Sequence, residues 1–191
     1  MKSPTHFLVG YDMARLLGWQ GSRHRWLVAG ALAPDCPVVC AGLTALATTL
    51  FDGGTFDFVA FKERMDCLYF LGWLTMSAHN LLHSPLSLAL LAALAVLFVN
   101  AERRSPFLAF LAGAAGHAVL DIFTHVEDGP LLLWPLDWET RVVGPVSHWD
   151  ARFGGLVVTA VELTLWMGTL IVVSTRPWPG MRVTGRTAAR G

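Results

Sequence analysis

Charge is scarce in this chain: only 15% of its 191 residues are Asp, Glu, Lys or Arg, against roughly a quarter in soluble domains. Fourteen basic residues balance fourteen acidic ones. That balance excludes a general polyanion binder, and no nucleic-acid partner is expected. Cysteine is scarce too. Cys36, Cys40 and Cys67 form no paired metal-finger spacing, and Pro37 interrupts the one close pair. All three are therefore expected to be small buried apolar residues. Strand signals are few, and no internal repeat or extended low-complexity tract occurs. The opening run MKSPTHFLVGYDMARLLG lacks an uninterrupted apolar core and a cleavage site, so no removed signal peptide is expected.

Apolar residues fill the space that charge leaves. They make up 54% of the chain, the mean hydropathy is +0.51, and helical periodicity is common. The fold class expected is all-α, a bundle of about six helices with several apolar enough to be membrane-embedded. A single helical domain over 1–175 is followed by an Arg-rich flexible tail, 176–191. Ser3-Pro4 starts a helix over about 4–18. The run 26–50 is long enough to cross a bilayer. Pro34-Asp35-Cys36-Pro37 divides it into two half-helices, because Pro removes a donor and restricts the residue before it. A loop at 51–57 precedes helices over about 58–82, 86–99 and 106–124, with AERRS as a short basic turn. The segment 127–150 is irregular and rich in Pro, Gly and Trp, and the last helix covers about 153–174.

Basic residues suggest an orientation. With spans near 27–50, 84–100, 106–124 and 154–174 and the N-terminus inside, Lys2, Arg15, Arg23, Arg25, Arg103, Arg104 and the tail arginines lie inside. Lys62, Arg64, Arg141 and Arg152 then lie outside.

The polar residues within these apolar helices follow a pattern. His79 and His83 are four apart and share a helical face. His117 and Asp121 repeat the spacing on another helix, and His125 extends it. Asp35 at the Pro-bracketed break and His6 on the first helix complete the set. Facing pairs of this kind build metal sites in helical bundles, and a carboxylate buried in an apolar helix is costly unless paired or bound to a cation. Mixed imidazole and carboxylate ligands suit zinc, with manganese or iron as alternatives. More than four ligands implies two ions or supporting partners. Pattern alone leaves a second interpretation open, in which these are ordinary helix-end polar residues: His83 before Ser84-Pro85, and Asp121 bonded to Thr124. His24, among Arg23, Arg25 and Trp26, fits a solvated or interfacial face. His148 and Asp150 fit a substrate-side pair or simple loop polarity. Glu162 fits a helix contact or a side chain packed toward the site, and Trp134 and Trp138 fit interfacial anchors.

APDCP, HNLLHSPL, GHAVLDIFTH and GPLLLWPLDW stand in the order and approximate spacing of the YbcI/YdjM-like membrane-bound metal-dependent hydrolases, which this chain resembles over roughly 5–138. His6, Asp35, His79, His83, Ser84, His117, Asp121, Thr124, Gly129, Pro130 and Trp134-Pro135 match the family's positions. Two departures stand out. A second acidic residue after the Pro-Asp turn is absent, and Asn80-Leu81-Leu82 stands where the family has Arg-Gly-x-Thr, removing a positive charge. The ligand order is also distantly similar to that of all-α zinc-dependent phospholipases C.

The resemblance implies a hydrolase of a bacterial-type inner (cytoplasmic) membrane, using a metal-activated water on a phosphoester or lipid-like substrate. His6, Asp35, His79, His83, His117 and Asp121 would hold one or two ions, zinc first. Asp121 or Asp35 would orient the water, and His125 would serve as acid or base. The alternative is a non-enzymatic integral membrane protein with a structural His/Asp metal cluster. A proton or ion pathway is a third class.

Overall fold

The computed structural model describes residues 1–53 and 55–175; the Arg-rich tail expected over 176–191 lies outside the described residues. Among those described there are eight α-helices and no strand. They are α1 (Ser3–Leu16), α2 (Gly21–Leu32), α3 (Cys36–Gly53), α4 (Phe58–Asp66), α5 (Trp73–His83), α6 (Pro85–Phe98), α7 (Ala101–Thr124) and α8 (Gly155–Thr175). Gly21–Asp52, Ala101–Thr124 and Gly155–Thr175 are long and apolar enough to cross a membrane. A fourth crossing results if α5 and α6, bent by 65° where they meet, form one broken span.

Several boundaries differ from the sequence expectation, each for a local reason. The Pro-Asp-Cys-Pro break is there, but it is a single 3₁₀ turn, Ala33–Asp35, and the axis carries on into α3. Both prolines sit near helix starts, where the missing N–H has no partner to lose. AERRS is not a turn but the first turn of α7. The Asn100 side chain accepts from Arg103 N at 3.2 Å, which satisfies one of the donors a helix start leaves free. The expected helix 58–82 is interrupted by a π-helical turn, Cys67–Leu71, and Gly72. The three cysteines are exposed rather than buried. Pro34 and Asp35 take the inward side of the break, which turns Cys36 and Cys40 outward together, one helical turn apart.

The core is the α2–α7 pair with α1 laid against it. Gly30 and Gly113 allow this contact: a Cβ on Gly30 would stand 1.9 Å from the Phe110 carbonyl oxygen, and one on Gly113 would stand 2.0 Å from the Leu27 carbonyl oxygen. Ala14, Leu27 and Ala109 fill one side of the pair, while Leu88, Leu111, Ala114 and Ala118 join α6 to α7. Arg23 Nε donates to Ser105 Oγ at 2.7 Å, so α2 and α7 start at the same end. The first helix runs the other way, from His6 beside His117 to Ala14 beside Leu27. The N-terminal residues therefore lie at the opposite end from Arg23 and Arg104. That corrects the topology that grouped Lys2 with those arginines.

A buried carboxylate on a span holds α1 in place. Glu162 is 1% exposed. It accepts from Lys2 N at 2.8 Å, Lys2 Nζ at 2.7 Å and Thr5 Oγ1 at 3.0 Å. Trp166 Nε1 in turn donates to Thr5 Oγ1 at 3.0 Å, and Thr169 Oγ1 donates to Asp12 Oδ2 at 2.7 Å. Glu162→Ala is expected to destabilise the protein by about 1–3 kcal/mol, because it leaves buried donors without an acceptor. Glu162→Gln, which keeps one acceptor oxygen, costs less. Thermal unfolding in detergent measures both; equal melting temperatures for wild type and Glu162→Ala would contradict the role.

Candidate metal centre

Four elements converge on one carboxylate. α7 supplies His117 and Asp121 from its C-terminal third, and the last turn of α5 supplies His83. The first helix supplies His6, and the 3₁₀ turn supplies Asp35. Asp121 is 3% exposed. Its Oδ2 lies 2.9 Å from His83 Nε2 and 3.1 Å from His117 Nε2, and its Oδ1 lies 3.1 Å from His6 Nε2. The α-ammonium of Met1 contacts Oδ1 as well, and Thr124 Oγ1 at 2.9 Å. Asp35 Oδ1 lies 3.4 Å from His117 Nε2, and its Oδ2 accepts from Ser3 Oγ at 2.5 Å. The His6 and His117 rings stack with centroids 3.5 Å apart. Ligand atoms of His6, His117 and Asp121 all lie within 4.8 Å of one another.

The hydrogen bonds on the far side of two rings fix which nitrogen faces inward. His117 Nδ1 lies 2.7 Å from the Ala31 carbonyl oxygen, and His79 Nδ1 lies 2.9 Å from that of Pro34. A carbonyl oxygen accepts only, so each Nδ1 carries the proton and donates it. In a neutral ring that leaves Nε2 as a lone pair. His117 Nε2 is buried with no hydrogen bond, although two carboxylates stand 3.1 and 3.4 Å away. A lone pair facing two carboxylates is repulsive, and either a proton on Nε2 or a cation between the groups relieves it. Backbone carbonyls that orient a ring in this way are also the usual support for metal-bound imidazoles. The residues present therefore fit a divalent ion held by nitrogen and oxygen. The cysteines are not among its neighbours.

The seven sequence-derived candidates do not all stand equally. His6, Asp35, His83, His117 and Asp121 meet directly. His79 stands beside His83, ring centroids 4.2 Å apart, and lines the same cavity without touching Asp121. His125 is at the edge, its Nε2 3.7 Å from Asp121 Oδ1 and its Nδ1 2.9 Å from Asp128 Oδ1. Burial opposes ionisation of Asp128 most strongly, but the hydrogen bond and charge of His125 together with the Trp149 hydrogen bond and a backbone one outweigh it and hold the carboxyl below the usual range. His148, 4.5 Å from the His125 ring, is lowered to about 4 by burial, with the Met1 ammonium and His125 adding to the effect. It is therefore neutral at pH 7.

A cavity of about 470 Å³ is lined by Asp121, His83, Asp35, Val38, Val39 and Met65, and by His125, His148 and Trp149. Burial raises the Tyr69 phenol on its wall to about 12, so it keeps its proton. Ser3, Tyr69, Asp128 and Met1 were not foreseen as site residues. Ser3 offered only a helix-start signal, and Tyr69 lies on a turn that no periodicity marks. Asn80, where the resemblance called for a cation, has a structural task. Its Oδ1 accepts from Leu131 N at 3.3 Å and its Nδ2 donates to Met76 O at 2.9 Å. Ser84 Oγ contacts the carbonyls of Leu132 and Trp134 at 3.1 and 3.2 Å. Two separated segments, HNLLHSP and GPLLLWP, are thereby joined behind the site. Glu162 is a helix contact and no part of the cluster. His24 is half-buried rather than solvated, edge-on to Tyr11 at 5.2 Å.

Fold and site together define an all-helical membrane protein with a buried imidazole–carboxylate cluster among its apolar helices. The chain belongs to the YdjM inner membrane protein family, whose model matches residues 1–183. No curated protein and no solved structure gives a significant match.

Proposed function

We propose that this inner membrane protein is a metal-dependent hydrolase acting on a phosphoester. The observation that carries the proposal is the orphaned His117 Nε2, aimed at Asp121 and Asp35 in a buried cluster. His6, Asp35, His83, His117 and Asp121 would hold the ion, with His79 available to a second one. Zinc suits this donor set first, manganese or iron next. Such an ion supplies Lewis acidity and a water that ionises near neutral pH. Asp35 and Asp121 present carboxylate oxygens on two sides of the site and orient the attacking water between them. His125 lines the cavity with Nδ1 held by Asp128. It is the group placed to carry a proton between the reacting oxygens and solvent.

Hydrolysis of bis(p-nitrophenyl) phosphate by purified protein, abolished by a chelator and restored by zinc, is the expected result. His125→Ala is expected to lower kcat by about 100-fold or more while metal content stays at the wild-type level. No chelator-sensitive turnover across a panel of phosphomonoesters and phosphodiesters would contradict the proposal. A second reading has its own support, since Asp121 ties α1, α5 and α7 together. In that reading the ion is structural, and chelation unfolds the protein without any turnover to lose.

A further inference from the structure

Another cavity, of about 410 Å³, opens where α2 and α7 begin and α6 ends. It is lined by Trp26 of α2, by Val99, and by Glu102, Arg103, Pro106 and Phe107 of α7. Arg103 precedes Asp121 by eighteen residues on one helix, a rise of about 27 Å, so this cavity is separate from the metal centre. Apart from Glu102 and Arg103 its lining is apolar. Trp26 is 47% exposed, and its ring meets that of Phe110 edge-on at 6.1 Å.

Three guanidinium groups surround this apolar lining. Arg103 belongs to it. Arg23 Nε donates to Ser105 Oγ at 2.7 Å, which holds its guanidinium next to Pro106. Arg104 Nη1 donates to Val96 O at 3.1 Å, three residues before Val99. Among the described residues, the Lys and Arg side chains in ion pairs are Lys2, Lys62, Arg64 and Arg152. These three arginines therefore have no carboxylate partner. Glu102 is the one acidic side chain on the cavity, and it is exposed. The dipoles of α2 and α7, which both start here, add to the positive potential. From this point both helices run into apolar stretches able to cross a membrane. Trp26 follows Arg23 by one turn and Phe107 follows Arg103 by one turn. Cations come first and aromatic surface comes deeper, the order of headgroup and acyl chain in a bilayer leaflet.

We infer that this cavity binds an anionic membrane phospholipid, with its phosphate among Arg23, Arg103 and Arg104 and the upper part of an acyl chain against Trp26 and Phe107. A soluble anion would make no use of the apolar lining, and a zwitterionic lipid would leave the positive charge unmatched. The site stands whether or not the metal centre is catalytic.

Native mass spectrometry of the full chain, equilibrated in detergent with phosphatidylglycerol or with phosphatidylcholine of the same acyl chains, tests the class of ligand. Retention of phosphatidylglycerol but not phosphatidylcholine is expected; equal retention would overturn the inference. Arg23→Gln and Arg103→Gln, both at exposed positions, are each expected to weaken phosphatidylglycerol binding about five-fold, with circular dichroism unchanged. Val99→Trp fills the cavity and leaves the arginines in place, and it is expected to lower retention as well. Wild-type retention in that variant would reveal general attraction to a basic surface and overturn the cavity as the site. On the unaltered chain, phosphatidylglycerol with a diazirine near the glycerol end of one acyl chain should crosslink at Trp26, Val99 and Phe107. Crosslinks that avoid all three would overturn the placement. A dimer that excludes the lipid in the mass spectra would assign the cavity to a second copy of the chain and overturn it too.

Discussion

Asp121→Asn lowers metal affinity by more than about 100-fold, beyond what loss of a supporting partner alone produces. The substitution keeps the shape of the side chain and removes the charge that three imidazoles face. His83 Nε2 and His117 Nε2 lie 2.9 and 3.1 Å from one carboxylate oxygen, and His6 Nε2 lies 3.1 Å from the other. An amide can donate or accept at these positions, so the helices have no reason to separate. Its oxygen is a far weaker ligand than a carboxylate oxygen, and its NH₂ group is none. Equilibrium dialysis against zinc, with circular dichroism as a check on folding, measures the effect. Wild-type affinity in a folded Asp121→Asn variant would remove Asp121 from the ligand set.

The second large effect is at Gly113. A valine there destabilises the protein by about 3 kcal/mol or more, at the upper end of overpacking costs. The new Cβ would meet the Leu27 carbonyl oxygen at 2.0 Å, Ala31 N at 2.8 Å and Leu27 C at 3.0 Å. All three are backbone atoms and cannot rotate away, so α2 and α7 must move apart. Because His117 Nδ1 donates across that same interface to Ala31 O at 2.7 Å, separation also releases the orientation of His117. Gly168→Ala on α8, where nothing lies within 4 Å of the added Cβ, serves as the matched control. Thermal unfolding in detergent distinguishes the two. A Gly113→Val protein as stable as the control would contradict the close packing.

The sequence made the cluster legible because its spacing is helical and local. His79 with His83, and His117 with Asp121, share faces wherever those helices lie, and an apolar setting makes such pairs conspicuous. Asp35 stood out for the same reason, bracketed by prolines in a greasy run. The route of the first helix was not legible. A basic-residue count put Lys2 among the arginines, whereas its ammonium pairs with Glu162 at 2.7 Å and belongs to the site end. That placement resolves how His6 reaches Asp121: α1 is antiparallel to α2, and its first turn meets the last turns of α5 and α7. The cysteines were misjudged because cysteine is most often buried, and an apolar helix facing lipid offers an outer surface on which that tendency says nothing. Asn80 shows a further limit. Its partner, Leu131 N, is fifty-one residues away, and no local pattern connects them.

Metal content and ligation test the account's central claim most directly. Elemental analysis of wild-type protein purified without chelator should give about one or two equivalents of a transition metal, zinc first. X-ray absorption of the same sample should show a nitrogen and oxygen coordination shell with imidazole scattering and no sulfur, and His117→Ala should lose the metal. Metal-free wild-type protein that stays so after incubation with zinc, manganese or iron, or a sulfur-rich shell from Cys36 and Cys40, would contradict it.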